Sequence, residues 1–515
     1  MTARPDAARP GAARSAAAPP GTPDPRRWWA LGALVVCVLV LGFDLTILNV
    51  ALPAMASQLG ADTGEQQWIA DSYIVVFAAL LLPAGLLGDR FGRRRMLTAG
   101  LVVFLAGSVA GTFAGSPEQL VAARAGMGVG AALVMPLALS VLPSLFGDEE
   151  RSKAVGAIAA GSAAGLPLGP LVGGWLLDHY WWGSVFLVNV PLAAFGILAC
   201  LLLLPESRDP AAPAVGAVST LLSAGGLGAL VFGIIEGPGR GWTDPLVLLA
   251  LSGSAAMLAG LVLHERRSER PLLDLGLLRR PAFLWNTLTT SLTTLVIAGL
   301  LFLLPQYLQA VLGYGAFDTG VRLMPMMGGL LVAARCAAPL VRRLGARTVV
   351  SAGLVVLAAA AFLGAATGPG DGYGWAALWL TVAGTGFGFA VVPAMDGALA
   401  ALPADRSGTG SGLLQTLRQV GGAVGVALLG SLLAGAFTGR LDTSGLPGPA
   451  ADAARESVVA AHLVATRLDA PGLAASADAA FVHGMSLALA VCGVAALVTA
   501  VFTALRLPGR RHRDA

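Results

Sequence analysis

Long apolar segments alternate with short polar ones over most of the chain. Each apolar run has roughly 20 residues, the length that a helix needs to cross the hydrocarbon core of a bilayer. Because lipid offers the backbone no hydrogen-bond partners, runs of this kind are expected to be helical. The pattern predicts an all-α polytopic membrane protein with fourteen spans, near residues 28–53, 68–88, 96–115, 119–143, 154–177, 184–205, 214–236, 246–263, 282–305, 319–340, 348–367, 375–401, 411–437 and 481–506.

Charged residues are rare and unevenly placed. They make up 12% of the 515 residues, whereas globular proteins have about a quarter. If the N-terminus is cytoplasmic, 25 of the 33 arginine and lysine residues fall in cytoplasmic segments and four in outer loops. This asymmetry predicts a multi-pass protein of the plasma membrane with both termini cytoplasmic. The net charge of +4 is explained by arginines that face the lipid bilayer at the cytoplasmic surface, so no nucleic-acid partner is expected.

The order of the runs predicts two related bundles of six helices each. The turn at 85–95 (GLLGDRFGRRR), after the second run, has a weak counterpart at 338–347 (APLVRRLGAR), after the tenth. Such a repeat is typical of transporters built from two parallel halves. We therefore expect a disordered tail at 1–27, an N-terminal bundle at 28–205, two linking spans and a loop at 206–281, a C-terminal bundle at 282–506, a tail at 507–515, and a short surface helix within the outer stretch 438–480.

The fifth run carries a glycine at every fourth position. Residues 161–174 read GSAAGLPLGPLVGG, and glycines four residues apart share one face of a helix. A face without side chains lets a second membrane helix approach closely, and the prolines remove backbone donors and favour a bend. We interpret this face as a seal along which two helices slide, with a static packing face as the alternative. The residues assigned to it are Gly161, Gly165, Pro167, Gly169, Pro170, Gly173 and Gly174.

Two charged residues lie inside predicted spans at similar depth. Asp44 is in an outward-running span and Arg124 in an inward-running one, which places both in the outer half of the membrane. An ionisable group is costly in hydrocarbon and normally faces a partner or a watery cavity. We predict that Asp44 carries a proton and that Arg124 controls its binding and release. The alternative is a purely structural ion pair.

Other polar and aromatic residues fall within or beside the spans. Asp71, in WIADSY, is a second candidate for proton coupling, or else an interfacial acid. Asp396 and Arg418, on consecutive antiparallel spans, are a candidate polar pair in the C-terminal bundle, either sensitive to substrate or a static tie. Aromatic side chains can bind cationic ligands. The aromatic residues considered for a substrate cavity are Tyr73, Phe77, Trp285 and Phe387, with packing at the membrane interface as the plainer alternative.

The turn after the second run combines glycines, one acid and an arginine cluster. Asp89 can pair with a neighbouring arginine or cap a helix N-terminus, and such a contact can act as a latch on the cytoplasmic side. Anchoring by positive charge alone is the alternative, but it leaves Asp89 unexplained. The gate motif predicted here consists of Gly85, Asp89, Arg90, Gly92, Arg93 and Arg94.

Taken together, these segments resemble a known family. The turn at 85–95, the glycine-proline helix and LVAARAGMGVGAA (120–132) resemble the signature motifs of the major facilitator superfamily. FDLTILNVALP (43–53), WIADSY, LPQYLQ (304–309) and the loop 265–283 are similar to its fourteen-span drug:proton antiporters. The sequence departs from the pattern at Met127, where a glutamine is usual, and at 181–191, which lacks a Trp-Arg-Trp. The resemblance implies a major facilitator fold, an antiporter motif in the glycine-proline helix and a role in proton transfer for Arg124.

The resemblance further implies a proton-driven efflux transporter, not an enzyme, that exports amphipathic drugs or antibiotics. Its expected partners are a small amphipathic or cationic substrate, protons and the lipid bilayer. It is expected to be a monomer that uses the proton gradient and no cofactor or metal. The residues also allow an exporter of an endogenous metabolite or lipid, a proton-coupled importer, or a membrane sensor without transport. The glycine-proline helix argues against the importer, and the charges of Asp44 and Arg124 within predicted spans argue against the sensor, which has no use for them in lipid.

Overall fold

The computed structural model describes residues 26–208, 216–268, 273–402 and 407–507, and these residues are mostly helical. Fourteen of the helical segments in this part of the chain are long and apolar enough to cross a membrane, which confirms the predicted number of spans. The helices are α1 (Arg26–Leu59), α2 (Thr63–Phe91), α3 (Arg93–Thr112), α4 (Pro117–Ser140), α5 (Leu142–Leu145), α6 (Asp148–His179), α7 (Ser184–Leu187), α8 (Asn189–Leu203), α9 (Ala217–Arg240), α10 (Pro245–Arg267), α11 (Pro281–Gln306), α12 (Ala316–Arg322), α13 (Met324–Leu344), α14 (Ala346–Ala365), α15 (Tyr373–Ala400), α16 (Ser407–Arg440), α17 (Gly448–Glu456), α18 (Val458–Arg467) and α19 (Pro471–Arg506).

Four of the spans are composite. A short second segment continues the span after α4 and α11, or precedes it before α8 and α13, so that the spans cover Pro117–Leu145, Ser184–Leu203, Pro281–Val311 and Ala316–Leu344. The segment that follows α11, Tyr307–Val311, is a π-helix. The two predicted tails lie mostly outside the described residues. Helix α1 begins at Arg26, two residues before the predicted start of the first span.

The two bundles have the same internal packing. In the N-terminal bundle α1 packs on α6, α2 and α3 pack on α4, and α3 packs on α8. In the C-terminal bundle α11 packs on α16, α13 and α14 pack on α15, and α14 packs on α19. The linking helix α9 packs against α2 and α16, and α10 packs against α9. The weak similarity of the two basic turns is thus one trace of a repeat that extends over both bundles.

The helix directions define two sides of the molecule. The side where α1 begins and α19 ends also carries the turns at Gly92 and Gly345, and we call it the arginine-rich side. Gly92 (φ 108°) separates α2 from α3, and Gly345 (φ 85°) separates α13 from α14. Both angles lie in a region that side chains disfavour, so glycine is required at these sharp reversals. The other side of the molecule is called the opposite side below.

The stretch 438–480 is more ordered than the predicted single surface helix. It forms α17, α18 and the first turns of α19, which begins at Pro471 and not near residue 481. Residues 471–480 (PGLAASADAA) are rich in alanine, which favours helix but has too little hydrophobicity to mark a span. On the opposite side, α18 packs against the end of α1 and against the π-helix.

Candidate functional site

Asp44 and Arg124 form an ion pair inside the N-terminal bundle. Arg124 Nη1 lies 2.5 Å from Asp44 Oδ2, and Asn189 Nδ2 donates a hydrogen bond to Asp44 Oδ1 at 2.9 Å. The side chains of Asp44 and Arg124 are 0% and 1% exposed. Each carboxylate oxygen of Asp44 thus accepts a hydrogen bond, and the one from Arg124 is charge-assisted. The structure therefore brings together the two residues that the sequence singles out for proton coupling.

Arg124 also contacts α2. Its Nε donates to the Ile69 carbonyl at 3.2 Å, and its guanidinium carbon lies 4.4 Å from the centroid of the Tyr73 ring. A cation over an aromatic face is attracted by the ring quadrupole. Through these contacts one guanidinium joins α4 to α1 and α2, and Asp44 extends the cluster to α8. A movement of any of these four helices changes the surroundings of the Asp44 carboxylate.

Two members of this cluster differ from the sequence prediction. Tyr73 was predicted to line a substrate cavity, but it is fully buried beneath Arg124. Asn189 had no predicted role. The only sequence signal for Asn189 is a single amide residue within an apolar run, where a polar side chain needs a partner. Its partner, Asp44, is 145 residues away in the chain, and no spacing rule connects them.

Asp71 lies on the face of α2 that meets the C-terminal bundle. Gln67, four residues earlier and hence on the same helix face, donates from Nε2 to the Val426 and Ala427 carbonyls of α16 at 3.2 and 2.7 Å. Asp71 is 0% exposed, and both of its carboxyl oxygens are buried without a hydrogen-bond partner. It is therefore buried between the two bundles and is not an exposed interfacial acid.

Asp396 and Arg418 do not form the predicted pair. The Arg418 Nη1 instead lies 3.8 Å from Met395 Sδ, its Nε is buried without a partner, and Asp396 is exposed. No ion pair joins the two residues within the ranges that the structure describes. The sequence places them correctly on α15 and α16, but the direction of a side chain depends on helix rotation, which the sequence does not define here.

The predicted gate motif is tied to its own bundle. Asp89 Oδ1 accepts a hydrogen bond from Arg93 Nε at 2.9 Å across the turn at Gly92, and Arg93 Nη2 lies 2.9 Å from the same oxygen. Arg94 donates from Nη1 to the Leu204 carbonyl at 3.3 Å, and its Nε lies 3.8 Å from Glu206 Oε2. These contacts join the α2–α3 turn to the segment after α8, so the latch of this conformation lies within the N-terminal bundle. Glu206 takes part in this latch, although the sequence analysis did not identify it.

The glycines of this turn have unequal roles. A Cβ atom at Gly85 would meet only Pro136, at 3.9 Å, whereas one at Gly88 would clash with the Leu137 side chain of α4. A Cβ at Gly92 would lie 2.6 Å from Glu206 Oε1. Gly88, which was not assigned to the motif, is therefore the closer helix contact, and Gly92 leaves room for the Glu206 carboxylate. The remaining member, Arg90, lies with its guanidinium over the exposed Phe91 ring.

The glycine face of α6 packs directly on α1. A Cβ atom at Gly165 would lie 2.6 Å from the Phe43 nitrogen, and one at Gly169 would lie 2.9 Å from the Phe43 carbonyl oxygen. The Thr46 hydroxyl donates to the Gly165 carbonyl at 3.3 Å across this contact. Gly161 and Gly173 meet Val35 and Ile47 of α1 in the same way. The glycine face therefore covers the helix segment that carries Asp44.

The other end of this motif lies where the two bundles meet on the opposite side, a contact that we call the seam. A Cβ at Gly174 would lie 2.5 Å from the Ala316 carbonyl oxygen, and the Pro170 carbonyl closely approaches Gly320 of α12. The backbone N–H of Phe317 donates to Asp178 Oδ2 at 3.3 Å. Pro167 and Pro170 both lie within the continuous helix α6. One helix thus packs on the Asp44 segment and on the opposing bundle.

A second contact closes the same seam. Gln309, in the π-helix after α11, donates from Nε2 to the Val50 carbonyl of α1 at 2.8 Å. A cavity of about 400 Å³ lies beside it between α1 and α18. Because these contacts join the two bundles on the opposite side, that side is closed in this conformation.

The remaining aromatic candidates do not converge on one cavity. Trp285 stacks on Phe502 of α19, with ring centroids 6.0 Å apart, and Phe502 is half exposed on the surface of the bundle. Phe77 is buried beside Tyr73. Phe387 is partly buried and packs against the largest cluster of buried hydrophobic residues. Residues half a turn apart on a helix lie on opposite faces, so one can face the core and the other a cavity. The spacing of aromatic residues in the sequence does not show which face is which.

Comparison with known proteins places these features in a family. A family model described as the Major Facilitator Superfamily matches residues 34–426. The chain is 36% identical over 467 residues to a probable actinorhodin transporter of Streptomyces coelicolor, covering 88% of this chain and 80% of the relative. It is 33% identical over 502 residues to the tetracenomycin C resistance and export protein of Streptomyces glaucescens, covering 94% and 93%.

A solved structure has the same fold. It is an inward-facing, occupied form of a bacterial homologue of the human lysosomal transporter Spinster, with a TM-score of 0.69 and 18% identity. The match covers 94% of this chain and 97% of the other. This agreement confirms the fold class, and the family model and the two sequence relatives confirm the predicted resemblance.

Proposed function

Because the chain belongs to the major facilitator superfamily, we propose that it is a proton-driven antiporter that exports an amphipathic drug or antibiotic. The similarity to a tetracenomycin C resistance and export protein supports export over import. The proposed location is the plasma membrane, with both termini cytoplasmic, as the distribution of arginines favours. We further propose a monomer that needs no cofactor besides the proton gradient.

The single observation that carries the proposal is the buried cluster of Asp44, Arg124 and Asn189. A static tie between helices does not require an ion pair, since a buried pair gives little or no net stability over an apolar contact. A group that binds and releases protons does require a carboxyl whose surroundings change with the conformation. The Asp44 carboxylate suits this role, because its partners Arg124 and Asn189 lie on two other helices.

We propose the following cycle for this cluster. In the conformation described above, Asp44 is paired with Arg124 and carries no proton. Opening of the seam on the opposite side separates α1 from α4, so that Asp44 loses its partner and accepts a proton from outside. Return to the closed seam brings Arg124 back, and the proton leaves towards the cytoplasm. Each net charge that crosses the membrane in this way contributes about 2.3 kcal/mol per 100 mV of potential.

The glycine face of α6 gives this cycle its mechanical link. At Gly165 and Gly169 it packs on the backbone of the α1 segment that holds Asp44, and Gly174 packs on α12 of the other bundle. A shift of α6 at the seam is therefore transmitted to α1 by direct backbone contact. This relation supports the interpretation of the motif as a sliding seal.

Efflux in intact cells is the first test of the proposal. We expect cells that express the protein to accumulate less of a fluorescent amphipathic cation than control cells, and a protonophore to remove the difference. Higher accumulation would indicate an importer, and no difference for a panel of cations, neutral drugs and lipids would contradict drug export.

The variant Asp71→Asn distinguishes a role of Asp71 in proton coupling from a role in the stability of the bundle interface. A buried carboxyl group without a donor beside it is best accommodated with its proton on, so asparagine closely mimics the side chain in this conformation. We expect an unchanged melting temperature and a severalfold lower rate of proton-driven efflux if Asp71 is a second proton carrier. Wild-type rates for Asp71→Asn at every pH would assign Asp71 a structural role only.

A further inference from the structure

A groove lies on the surface of the C-terminal bundle between α14 and α19. Its volume is about 460 Å³, and it begins at Arg347 and Thr348 on the arginine-rich side. From there it follows α14 to Val355, a distance of about 12 Å at 1.5 Å per residue. Val355, Leu497 and Val501, which line its apolar part, are 48%, 38% and 57% exposed. The groove thus has a basic end at the membrane surface and an apolar part that faces the lipid.

The basic end has no counter-charge among the residues that the structure describes. Arg347 is exposed and makes no ion pair with any residue of the described ranges. The Ser351 hydroxyl, which belongs to the same groove, is buried without a hydrogen-bond partner. Helix α14 begins after Gly345 without a side-chain cap, so its first N–H groups are available to an anion.

The other half of the molecule shows what fills an equivalent position. Gly92 and Arg94 at the start of α3 correspond to Gly345 and Arg347 at the start of α14, and α8 corresponds to α19 in the packing of the bundles. In the N-terminal half, Glu206 follows α8, accepts a hydrogen bond from the Arg94 backbone N–H at 3.2 Å and pairs with the Arg94 side chain. An anion therefore occupies this position in the first bundle.

Among the residues that the structure describes, no acidic side chain pairs with Arg347 as Glu206 pairs with Arg94. The segment that follows α19, residues 508–515, reads PGRRHRDA and contains three arginines but one aspartate. Its arginines outnumber its single acid, so its composition does not favour it as a counter-charge for Arg347. Within the described part of the chain, this position is therefore open to an anion from outside the protein.

We propose that this groove binds an anionic phospholipid. The phosphate lies at the start of α14 beside Arg347, and one acyl chain follows Val355, Leu497 and Val501 towards the membrane interior. A soluble anion would use only the basic end, whereas a lipid uses the whole groove. Basic pockets between membrane helices are suited to anionic headgroups because each arginine near the surface adds to the attraction.

Lipid binding to the purified full-length protein tests the proposal. Titration with phosphatidylglycerol and with phosphatidylcholine of the same acyl chains, followed by native mass spectrometry, measures the two affinities. We expect preferential binding of phosphatidylglycerol and about fivefold weaker binding to Arg347→Gln, the loss that corresponds to one arginine at the membrane surface. Val501→Trp, which fills the apolar part and leaves Arg347 intact, should also weaken binding.

The control is Arg506→Gln, which removes an arginine at the same side that does not line the groove. It should bind phosphatidylglycerol like the wild type. Equal affinities for the two lipids, or unchanged binding to both groove variants, would overturn the proposal. Displacement of the lipid by millimolar inorganic phosphate would overturn it as well, because the site would then recognise only a soluble anion.

Discussion

Asp44→Asn should abolish proton-driven efflux and should also destabilise the protein. The substitution keeps the shape of the side chain but removes both the exchangeable proton and the charge that faces Arg124. Breaking a buried ion pair by removal of one partner costs about 3–5 kcal/mol, because the other charge is left unpaired. We therefore expect a lower melting temperature together with the complete loss of protonophore-sensitive transport.

The double variant Asp44→Asn/Arg124→Gln separates these two effects. It removes both charges, so no unpaired charge remains in the bundle and most of the lost stability should return. Transport should not return, because no proton carrier remains at this position. Recovery of proton-driven efflux in the double variant, with Asp44 absent, would show that the ion pair is structural and that protons move elsewhere.

Gly169→Val should have a comparably large effect through packing. A side chain at this position would clash with the Thr46 hydroxyl and would place its Cβ atom 2.9 Å from the Phe43 carbonyl oxygen and from the Ile47 nitrogen. These are backbone atoms of a packed helix and cannot move aside independently. We expect α6 to be forced away from α1 and efflux to fall by at least tenfold, measured as the initial rate of dye release.

The matched control for this prediction lies on the same helix. A Cβ atom at Gly156 would meet nothing within 4 Å, so Gly156→Ala should retain wild-type efflux and expression. Near-normal transport by Gly169→Val would exclude the glycine face as the link between the seam and Asp44. A loss of transport in both variants would point to a general intolerance of α6 to substitution.

The helical architecture could be predicted almost fully from the sequence. A run of about 20 apolar residues has only one stable form in a bilayer, and for this reason the spans and the repeat are visible in the pattern. The start of α19 was misplaced because alanine-rich residues favour helix without marking a span. The order within 438–480 depends on packing against α1 and the π-helix, which lie far away in the chain.

The candidate site could be predicted only where a charge reveals it. Asp44 and Arg124 are conspicuous because ionisable groups are rare in a span, and their similar depth was sufficient to bring them together. Asn189 and Glu206 complete the contacts through positions more than 100 residues away. The prediction failed for Asp396, Arg418 and Trp285. The sequence identified their helices but not the helix faces on which their side chains lie.

The most direct test of the coupling by Asp44 is the movement of protons when substrate is added. Proteoliposomes of the wild type, with a pH indicator inside and no imposed gradient, should show a change in internal pH when a transported cation is added. The change should be absent with Asp44→Asn and present with Gly156→Ala. Substrate transport without any proton movement in the wild type, or the same proton movement with Asp44→Asn, would contradict the account.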